Sequence, residues 1–264
     1  MKKKPSAEQY FKRYLKIAPL AVALCRSVEA KNFASVKMNA PILDIGCGFG
    51  EFAQVFCDDY IDMGLDNAPL DLLAASKVKK YKNLLLGDAR HLPFANESYA
   101  TVMSVSSLEH ITDVDRVFTE AYRILKPGGL FIASMETNEV DKHMFYSQLL
   151  KKIGLHWLSD LYMRKFNRMF HRYTLLSQEA WEKQIEKSGF KIQETRNIVT
   201  PKIIKLFDIF TLTAWPSQLL RPVIGKRIVY RPQFIVDLLT SLFIKLVDEE
   251  QTNGTVLFLI ARKP

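Results

Sequence analysis

The chain has 264 residues, 48% hydrophobic and 25% charged, a composition that excludes a disordered chain, a collagen-like fibre and a small disulfide scaffold. Its 37 lysines and arginines exceed its 28 aspartates and glutamates, for a formal net charge of +9. Residues 1–150 hold 18 basic and 18 acidic residues, so the 19 basic and 10 acidic residues of 151–264 carry the whole excess. This asymmetry indicates either an anionic partner at one end of the molecule or a basic surface kept for solubility.

The N-terminal region begins with MKKK and contains an apolar run at 17–25 that looks like the core of a secretory signal. Basic residues lie directly before that run and Arg26 directly after it, so the pattern favours an amphipathic helix over 7–31. No stretch reaches 18 uncharged apolar residues, and no transmembrane helix is predicted. The three cysteines fit neither a disulfide framework nor a metal site; we expect reduced thiols in a cytoplasmic protein, without a metal.

Residues 41–135 alternate strand-like and helix-like segments. The predicted strands are 41–45, 60–66, 83–88, 99–106 and 129–134. The predicted helices between them are 50–57, 69–80 and 113–125. This alternation predicts a parallel sheet with crossover helices, in which ligands bind at the carboxyl edge of the strands.

The pattern changes after residue 135. Residues 141–176 are rich in aromatic and basic side chains, and 177–190 is typical of a helix that begins at an N-cap Ser177 and ends at Gly189. Two further strands are predicted at 190–198 and 255–263. The residues between them are too many for a hairpin turn and favour helices at roughly 201–213, 215–221 and 232–248.

The strongest local signal is LDIGCGFG, residues 43–50, in which a strand enters a glycine turn and then a helix. The spacing Gly46-x-Gly48-x-Gly50 is one residue shorter than a dinucleotide fingerprint. Asp44 lies at the strand end, where a buried carboxylate needs a partner. We expect that partner to be a glycine-turn amide or a ligand ammonium, although a plain turn with a structural aspartate is the simpler interpretation.

Two more acids end predicted strands. Asp66 closes the second strand, where a carboxylate can accept both hydroxyls of a ribose. Asp88 closes the third, where it can accept from the exocyclic amine of adenine.

Five motifs stand in the order and spacing of one family: LDIGCGFG, GLD (64–66), GDARHLPF (87–94), SSLEHI (106–111) and LKPGG (125–129). The sequence thus resembles a class I S-adenosylmethionine-dependent methyltransferase, of the small-molecule type related to quinone-biosynthesis methyltransferases. The resemblance covers 41–135 strongly and the helix at 177–190 moderately, but not 198–254. It implies a Rossmann-like, doubly wound α/β fold: a seven-stranded, mostly parallel sheet with an antiparallel last strand and helical cap insertions.

The resemblance, together with the pattern of the residues that it does not cover, predicts four regions. They are an N-terminal helical lid (1–40), a cofactor-binding core (41–135), a helical substrate cap (136–189), and the last two strands (190–264) with a basic helical insertion at 198–254.

The implied cofactor is S-adenosyl-L-methionine, with its methionine part on the glycine turn, its ribose on Asp66 and its adenine on Asp88, Ala89 and Asn67. The cofactor-binding residues expected by resemblance are Asp44, Gly46, Cys47, Gly48, Gly50, Asp66, Asn67, Asp88, Ala89 and Ser106. The Cys47 thiol is expected to pack rather than react. Tyr10 and Tyr14 fit either a lid over the cofactor or ordinary packing of an amphipathic helix.

Candidate catalytic residues lie near the ends of the fourth and fifth strands, where a hydroxyl acceptor would need a base. Glu109 and His110 follow the fourth strand, although Leu-Glu-His-Ile is common in this family whatever the acceptor. His171 precedes the helix at 177–190 and could face an acceptor, and His143 and His156 compete for that role.

These features predict methyl transfer to a small or lipid-like acceptor. Two alternatives stay open: an RNA methyltransferase, favoured by charge but without the base-methylation motifs, and a non-catalytic binding protein with the same fold. The insertion places a basic segment with Arg221, Lys226, Arg227 and Arg231 between apolar helical stripes. It fits either a lid on the sheet or a surface element that contacts the inner face of a membrane. Nucleic acid is not the expected partner, and the sequence indicates no oligomeric state.

Overall fold

The computed structural model describes residues 6–211, 229–249 and 253–264. Its strands are β1 (Ile42–Ile45), β2 (Ile61–Asp66), β3 (Tyr81–Leu86), β4 (Tyr99–Val105), β5 (Leu125–Glu136), β6 (Lys191–Ile198) and β7 (Val256–Arg262). Its helices are α1 (Ala7–Leu15), α2 (Leu20–Ala34), α3 (Glu51–Phe56), α4 (Pro69–Val78), α5 (Val114–Ile124), α6 (Glu139–Lys142), α7 (Phe145–Lys152), α8 (His156–Met169), α9 (Gln178–Lys187), α10 (201–211) and α11 (Gln233–Asp248).

The strands form one seven-stranded sheet in the order β3-β2-β1-β4-β5-β7-β6. Strand β7 runs antiparallel to β5 and β6, and the pairs among β1 to β5 are parallel. Apolar side chains pack on both faces: α1, α2, α3 and α11 contribute to one core, and α5 and α9 to the other. The predicted fold class is therefore confirmed.

The predicted single helix over 7–31 is wrong, because two helices occupy this region. Helix α1 begins with a reciprocal capping pair, in which Ser6 and Gln9 each accept from the other's backbone amide. Pro19 separates the helices, with the extended ψ of 153° at the start of α2. Proline fixes φ and lacks an N–H, so it starts a helix readily and interrupts one that is already formed.

Two strands differ from the predicted bounds by two residues or more, β3 and β5. Strand β3 ends at Leu86, so Asp88 lies in the loop that follows the strand rather than at its last position. Strand β5 begins at Leu125 and includes Lys126, Pro127 and Gly128, which lie between the predicted helix at 113–125 and the predicted strand at 129–134. The pairing of β4 with β5 shifts register after Tyr99, which accommodates this segment as an irregularity in the strand.

The C-terminal third follows the predicted order where it is described. Ser177 caps α9 by accepting from the Ala180 amide over 3.3 Å, and Gly189 follows with a φ of +97°. The predicted helix at 215–221 and most of the basic segment lie outside the described residues. Helix α11 packs against α1 and α2. None of the described helices is long and apolar enough to cross a bilayer.

Candidate functional site

A cavity of about 1030 Å³ extends from the carboxyl ends of β1, β2 and β4 to the helices that follow β5. This volume is at the upper end of the roughly 300–1,000 Å³ typical of small-molecule sites. One part of the cavity is lined by the glycine turn and the acids of the sheet edge, and another by apolar helical side chains. The cavity therefore has a polar and an apolar part.

The glycine turn lies at the polar end. Gly46, Gly48 and Gly50 all have positive φ, at +73°, +51° and +73°. A Cβ atom on Gly46 would lie 2.2 Å from Ser107 Oγ, whereas one on Gly48 would meet no heavy atom within 4 Å. The Gly46 backbone thus packs against Ser107. The Gly48 backbone faces open space, where a ligand can approach closely.

Asp66 organises this turn. Its Oδ2 accepts from the Gly48 amide over 2.8 Å, and its Oδ1 accepts from the Ala68 amide over 2.9 Å. A carboxylate has about four lone-pair positions, so each oxygen keeps room for a ligand hydroxyl. The neighbouring Asn67 is exposed and lines the same part of the cavity.

Asp44 is buried beside the turn with 2% exposure, and its Oδ2 accepts from the Tyr81 hydroxyl over 2.7 Å. The sequence analysis expected the partner of Asp44 to be a glycine-turn amide or a ligand ammonium. In the structure the partner is the phenol of Tyr81. Burial raises the pKa of Asp44 to about 7. The carboxyl lines the cavity, where a cationic ligand would favour its charged form.

Asp88 is already paired within the chain. Arg90 donates to both carboxylate oxygens, over 3.0 Å from Nε to Oδ1 and 2.7 Å from Nη2 to Oδ2. The Arg90 guanidinium lowers the pKa of Asp88. Ala89 is buried and lines the cavity, as expected. A ligand amine would have to share the carboxylate with Arg90 or displace it.

Cys47 and Ser106 also border the cavity, but their side chains contact other parts of the protein. Cys47 is 7% exposed and burial raises its thiol pKa, in keeping with the expected packing role. The Ser106 hydroxyl donates to Glu29 in a short hydrogen bond.

Glu29 of α2 is a buried residue that sequence reasoning missed. Its carboxylate accepts from Ser134 over 2.8 Å and pairs with Arg26 over 2.8 Å, and Arg26 reaches the Val105 carbonyl over 3.2 Å. These contacts tie α2 to the ends of β4 and β5, and both residues line the cavity. An Arg-x-x-Glu pair within the mostly apolar segment at 20–30 was the available signal.

Glu109 lies on a single 3₁₀ turn after β4 and is completely buried. Neither oxygen of its carboxylate has a hydrogen-bond partner among the described residues, although the residue lines the cavity. Burial, reinforced by the nearby charge of Glu136, raises its pKa to about 8. The group is therefore largely protonated at neutral pH and available to a ligand.

Arg172 is a second residue that the sequence analysis did not select. Its side chain is 2% exposed and forms ion pairs with Glu136 over 2.6 Å and Asp141 over 2.8 Å. Its Nη2 has no hydrogen-bond partner within the described part of the chain. Buried polar atoms without partners are costly, so these atoms beside a cavity indicate a ligand or water that satisfies them.

The histidine candidates divide into two groups. His110 and His171 line the cavity, and the His110 Nδ1 lies 3.2 Å from the His171 carbonyl. The ring of His110 is reached by solvent, while the surrounding atoms lower its pKa by desolvation. His143 and His156 are not among the lining residues and do not compete for the role.

Tyr10 and Tyr14 are each 1% exposed in the apolar core, and neither lines the cavity. Ordinary packing, the simpler of the two interpretations, describes them. Helix α2 instead contributes Val22, Cys25, Arg26 and Glu29 to the cavity wall.

The second part of the cavity is apolar, and we call it the apolar lobe. Side chains from the start of β7, the segments around α6 and α8, and the start of the insertion form it: Val140, Met144, Phe166, Met169, Phe170, Val199, Ile204, Phe207 and Val256. Phe170 packs on Phe166 at 4.5 Å and on Phe207 at 6.3 Å between ring centroids. Helix α10 of the insertion is thus a wall of the cavity.

Comparison with known sequences supports the chemistry of this edge. Residues 43–133 match the family described as a methyltransferase domain. The sterol 24-C-methyltransferase of Pneumocystis carinii is 30% identical over 148 residues, which are 52% of this chain and 39% of that protein. The demethylmenaquinone methyltransferase of Lactiplantibacillus plantarum is 31% identical over 146 residues, 51% of this chain and 59% of that protein. The chain spans less than two thirds of the length of these curated relatives.

Solved structures share the fold at lower identity. A SAM-dependent methyltransferase from Thermotoga maritima superposes with a TM-score of 0.58 at 19% identity, over 96% of this chain and 95% of that one. A phosphoethanolamine N-methyltransferase from Haemonchus contortus, in complex with S-adenosylhomocysteine, superposes with a TM-score of 0.56 at 21% identity. The match covers 100% of this chain and 59% of that one. The glycine turn, the amide-held Asp66 and the open space at Gly48 fit the cofactor of this family. Residues 43–133 are a class I, S-adenosylmethionine-dependent methyltransferase domain.

Proposed function

We propose that this protein transfers a methyl group from S-adenosylmethionine to a small, apolar, lipid-like acceptor. The observation that carries the proposal is the continuity of one cavity from the glycine turn and Asp66 to the apolar lobe. A polar cofactor and an apolar acceptor can then meet at Glu109, His110 and Arg172, which line the cavity beside both parts.

S-adenosylmethionine supplies an electrophilic methyl group on a sulfonium. The chain's own contribution is to align an acceptor with that methyl and to keep water out, which removes an entropic part of the barrier. Asp66 and the Gly46–Gly50 turn would hold the cofactor, and the apolar lobe would bind the acceptor by burying its hydrocarbon surface.

An acceptor hydroxyl would also have to lose a proton. Glu109 Oε1 and Oε2 have no described hydrogen-bond partner and can take that proton once the carboxyl is ionised. His110, whose pKa is lowered, is a second base at the same place in the cavity. Arg172 Nη2 can donate a hydrogen bond to an acceptor oxygen beside them.

The relatives support an acceptor of this class. Proteins named for sterol and quinone methylation are similar to this chain over about half of its length. Sterols and prenylated quinones are largely apolar molecules with a small polar end, which matches an apolar lobe that ends in a few polar side chains. We retain a cytoplasmic location as part of the proposal.

The alternative of an RNA acceptor depends on the excess of basic residues after residue 150. The expected membrane contact of the insertion depends on Arg221, Lys226 and Arg227, which lie outside the described residues. Arg231 donates instead to the carbonyls of Leu15 and Ala18, the latter over 2.7 Å, and so is committed to the end of α1. The described cavity favours an apolar acceptor over RNA.

The first prediction tests the cofactor site. We expect Asp66→Ala to weaken S-adenosylmethionine binding by about 1–3 kcal/mol, because ribose hydroxyls and two turn amides lose their acceptor. Isothermal titration calorimetry measures this. The matched control is Asp59→Ala, at an exposed aspartate that does not line the cavity, and thermal unfolding of each variant verifies the fold. Unchanged affinity in Asp66→Ala contradicts the assignment.

The acceptor is identified by incubating the protein with methyl-labelled cofactor and a cell extract divided into lipid, soluble and RNA fractions. The proposal requires the label in the lipid fraction or in an apolar small molecule. Label that enters RNA alone would refute it.

A further inference from the structure

Helices α7 and α8 form a hairpin whose base is anchored to the rest of the molecule. Asp208 of α10, which is 1% exposed, accepts from the Tyr146 amide over 2.9 Å and from the Tyr162 hydroxyl. Within the hairpin, Ser147 Oγ and Ser159 Oγ lie 2.9 Å apart, and both side chains are buried. These buried polar contacts fix the orientation of the two helices.

The tip of the hairpin, residues 149–157, is by contrast almost entirely exposed. It presents four large apolar side chains to solvent: Leu149, Ile153, Leu155 and Trp157. Ile153 is 60% exposed and Trp157 is 64% exposed. Exposed apolar side chains clustered at one place indicate an interaction surface, and tryptophan is the residue type most favoured at the boundary between hydrocarbon and water.

The charge of the hairpin specifies what this surface meets. Five exposed basic residues lie at the tip and along α8: Lys151, Lys152, Arg164, Lys165 and Arg168. Asp160 is the one acid between 145 and 169, so the hairpin carries five positive charges against one negative charge. None of the five forms an ion pair with another residue in the described ranges. An apolar tip that carries two uncompensated cations, with three more along α8, is complementary to the hydrocarbon and the headgroups of an anionic bilayer.

Helix α11 also has an exposed apolar stripe, formed by Phe234, Leu238 and Leu242. Its charged residues are Asp237, Lys245 and Asp248, which sum to −1. This stripe therefore lacks the charge complementarity of the hairpin, and it serves as an internal comparison.

We propose that the exposed tip of the α7–α8 hairpin docks the protein on an anionic lipid bilayer. The apolar side chains of residues 149–157 enter the interface, and the basic residues contact the headgroups. Helix α8 also lines the apolar lobe through Phe166 and Met169, and Phe170 follows directly. Docking would thus place the lobe next to the source of an apolar acceptor, which extends the proposed function without depending on turnover.

Co-sedimentation with vesicles of phosphatidylglycerol and phosphatidylcholine tests this proposal. We expect the wild type to sediment with these vesicles at low salt and to remain in the supernatant with pure phosphatidylcholine. Ile153→Ser/Trp157→Ser should reduce the partition coefficient by about tenfold or more, because both side chains are exposed and contribute through the interface. Lys151→Gln/Lys152→Gln should lose binding at low salt and differ little from the wild type at high salt, where these charges are screened.

The matched control is Phe234→Ser/Leu238→Ser on α11, which should sediment like the wild type. A second measurement uses quenching by brominated lipid: the wild type should be quenched, and Trp157→Phe should still bind but lose most of the quenching. Cofactor affinity should be unchanged in every variant, which separates a failure of docking from a failure of the methyltransferase site.

Three outcomes would overturn the proposal. The wild type does not sediment with anionic vesicles at low salt; the α11 control loses binding while the hairpin variant keeps it; or quenching persists in Trp157→Phe. Binding of the hairpin to RNA in a filter assay, without binding to vesicles, would assign the same charge to nucleic acid.

Discussion

The buried carboxyl groups are the residues whose chemistry depends most on their surroundings. Asp44 and Glu109 are 2% and 0% exposed, and each has a raised pKa because burial penalises the charged form. Neither has a cation within ion-pairing distance among the described residues. A group of this kind is poised to change its charge when a ligand arrives, which is what a site that handles a cationic cofactor and a proton requires.

A prediction at this scale concerns Glu109 and the pH dependence of stability. The folded-state pKa is about 8, against an ordinary value of 4.5, so the folded protein binds more protons than the unfolded chain between these values. The free energy of unfolding should therefore decrease as pH rises across that window. Glu109→Gln should remove this decrease in the free energy of unfolding. The variant should be about as stable as the wild type at pH 5 and more stable by a few kcal/mol at pH 9.

Urea denaturation at the two pH values measures this difference. The exposed Glu186→Gln is the matched control and should shift stability equally at both. A Glu109→Gln effect that is the same at pH 5 and pH 9 would contradict the assignment of a raised pKa.

At the scale of elements, the turn between β1 and α3 combines two kinds of glycine. Gly46 is required by the fold, because a Cβ would collide with Ser107, whose Oγ also donates to the Gly46 carbonyl over 2.9 Å. Gly48 has no such neighbour, and its space belongs to the cavity. Within one turn, Gly46 is thus required for folding and Gly48 for binding of a ligand.

This separation is testable with two substitutions of the same type. Gly46→Ala should destabilise the protein by on the order of 3 kcal/mol or more, from strain at positive φ and the 2.2 Å overlap. Gly48→Ala should cost about 1–2 kcal/mol from positive φ alone, yet weaken cofactor binding at least tenfold by filling the approach. Thermal unfolding and calorimetry give the two quantities. Equal loss of stability in both variants, or full cofactor affinity in Gly48→Ala, would disprove the different roles of Gly46 and Gly48.

At the scale of the whole molecule, the insertion between β6 and β7 contacts both the N-terminal helices and the cavity. Helix α11 packs on α1 and α2, and Lys31 Nζ lies 2.8 Å from Asp248 Oδ1. Helix α10 meanwhile places Ile204 and Phe207 in the apolar lobe. The described part of the insertion therefore packs on the N-terminal helices and lines the cavity, and the choice between a lid and a membrane element stays a prediction.

The last prediction tests the apolar lobe. Ile204→Phe enlarges a lining side chain and should reduce lobe binding of the apolar dye 1-anilinonaphthalene-8-sulfonate by several fold. S-adenosylmethionine affinity should be unchanged, because the glycine turn lies at the other part of the cavity. Leu206→Phe on the same helix does not line the cavity and is the matched control. Dye binding that is equal in the two variants argues against a lobe walled by α10.

Much of the fold and the polar edge of the site could be predicted because the signals are local. Strands show as short apolar runs, Ser177 and Gly189 delimit α9, and the spacing of the glycines in 46–50 sets the turn. The order of these motifs, together with the right-handed connection of parallel strands, leaves few ways to arrange the sheet. Asp66 is accordingly the last residue of β2, the position that the sequence predicted.

Tertiary structure decided which partners the polar side chains have. Tyr81 on Asp44, Glu29 on Ser134 and Arg172 on Glu136 join residues 36 to 105 positions apart, a distance that no local pattern encodes. Asp88 was predicted at the end of the third strand but lies two residues beyond β3, where Arg90 takes a rotamer that pairs with it. The apolar lobe likewise exists because four separate segments converge on one end of the sheet, so its lining could be read from the packed chain and not from any one segment.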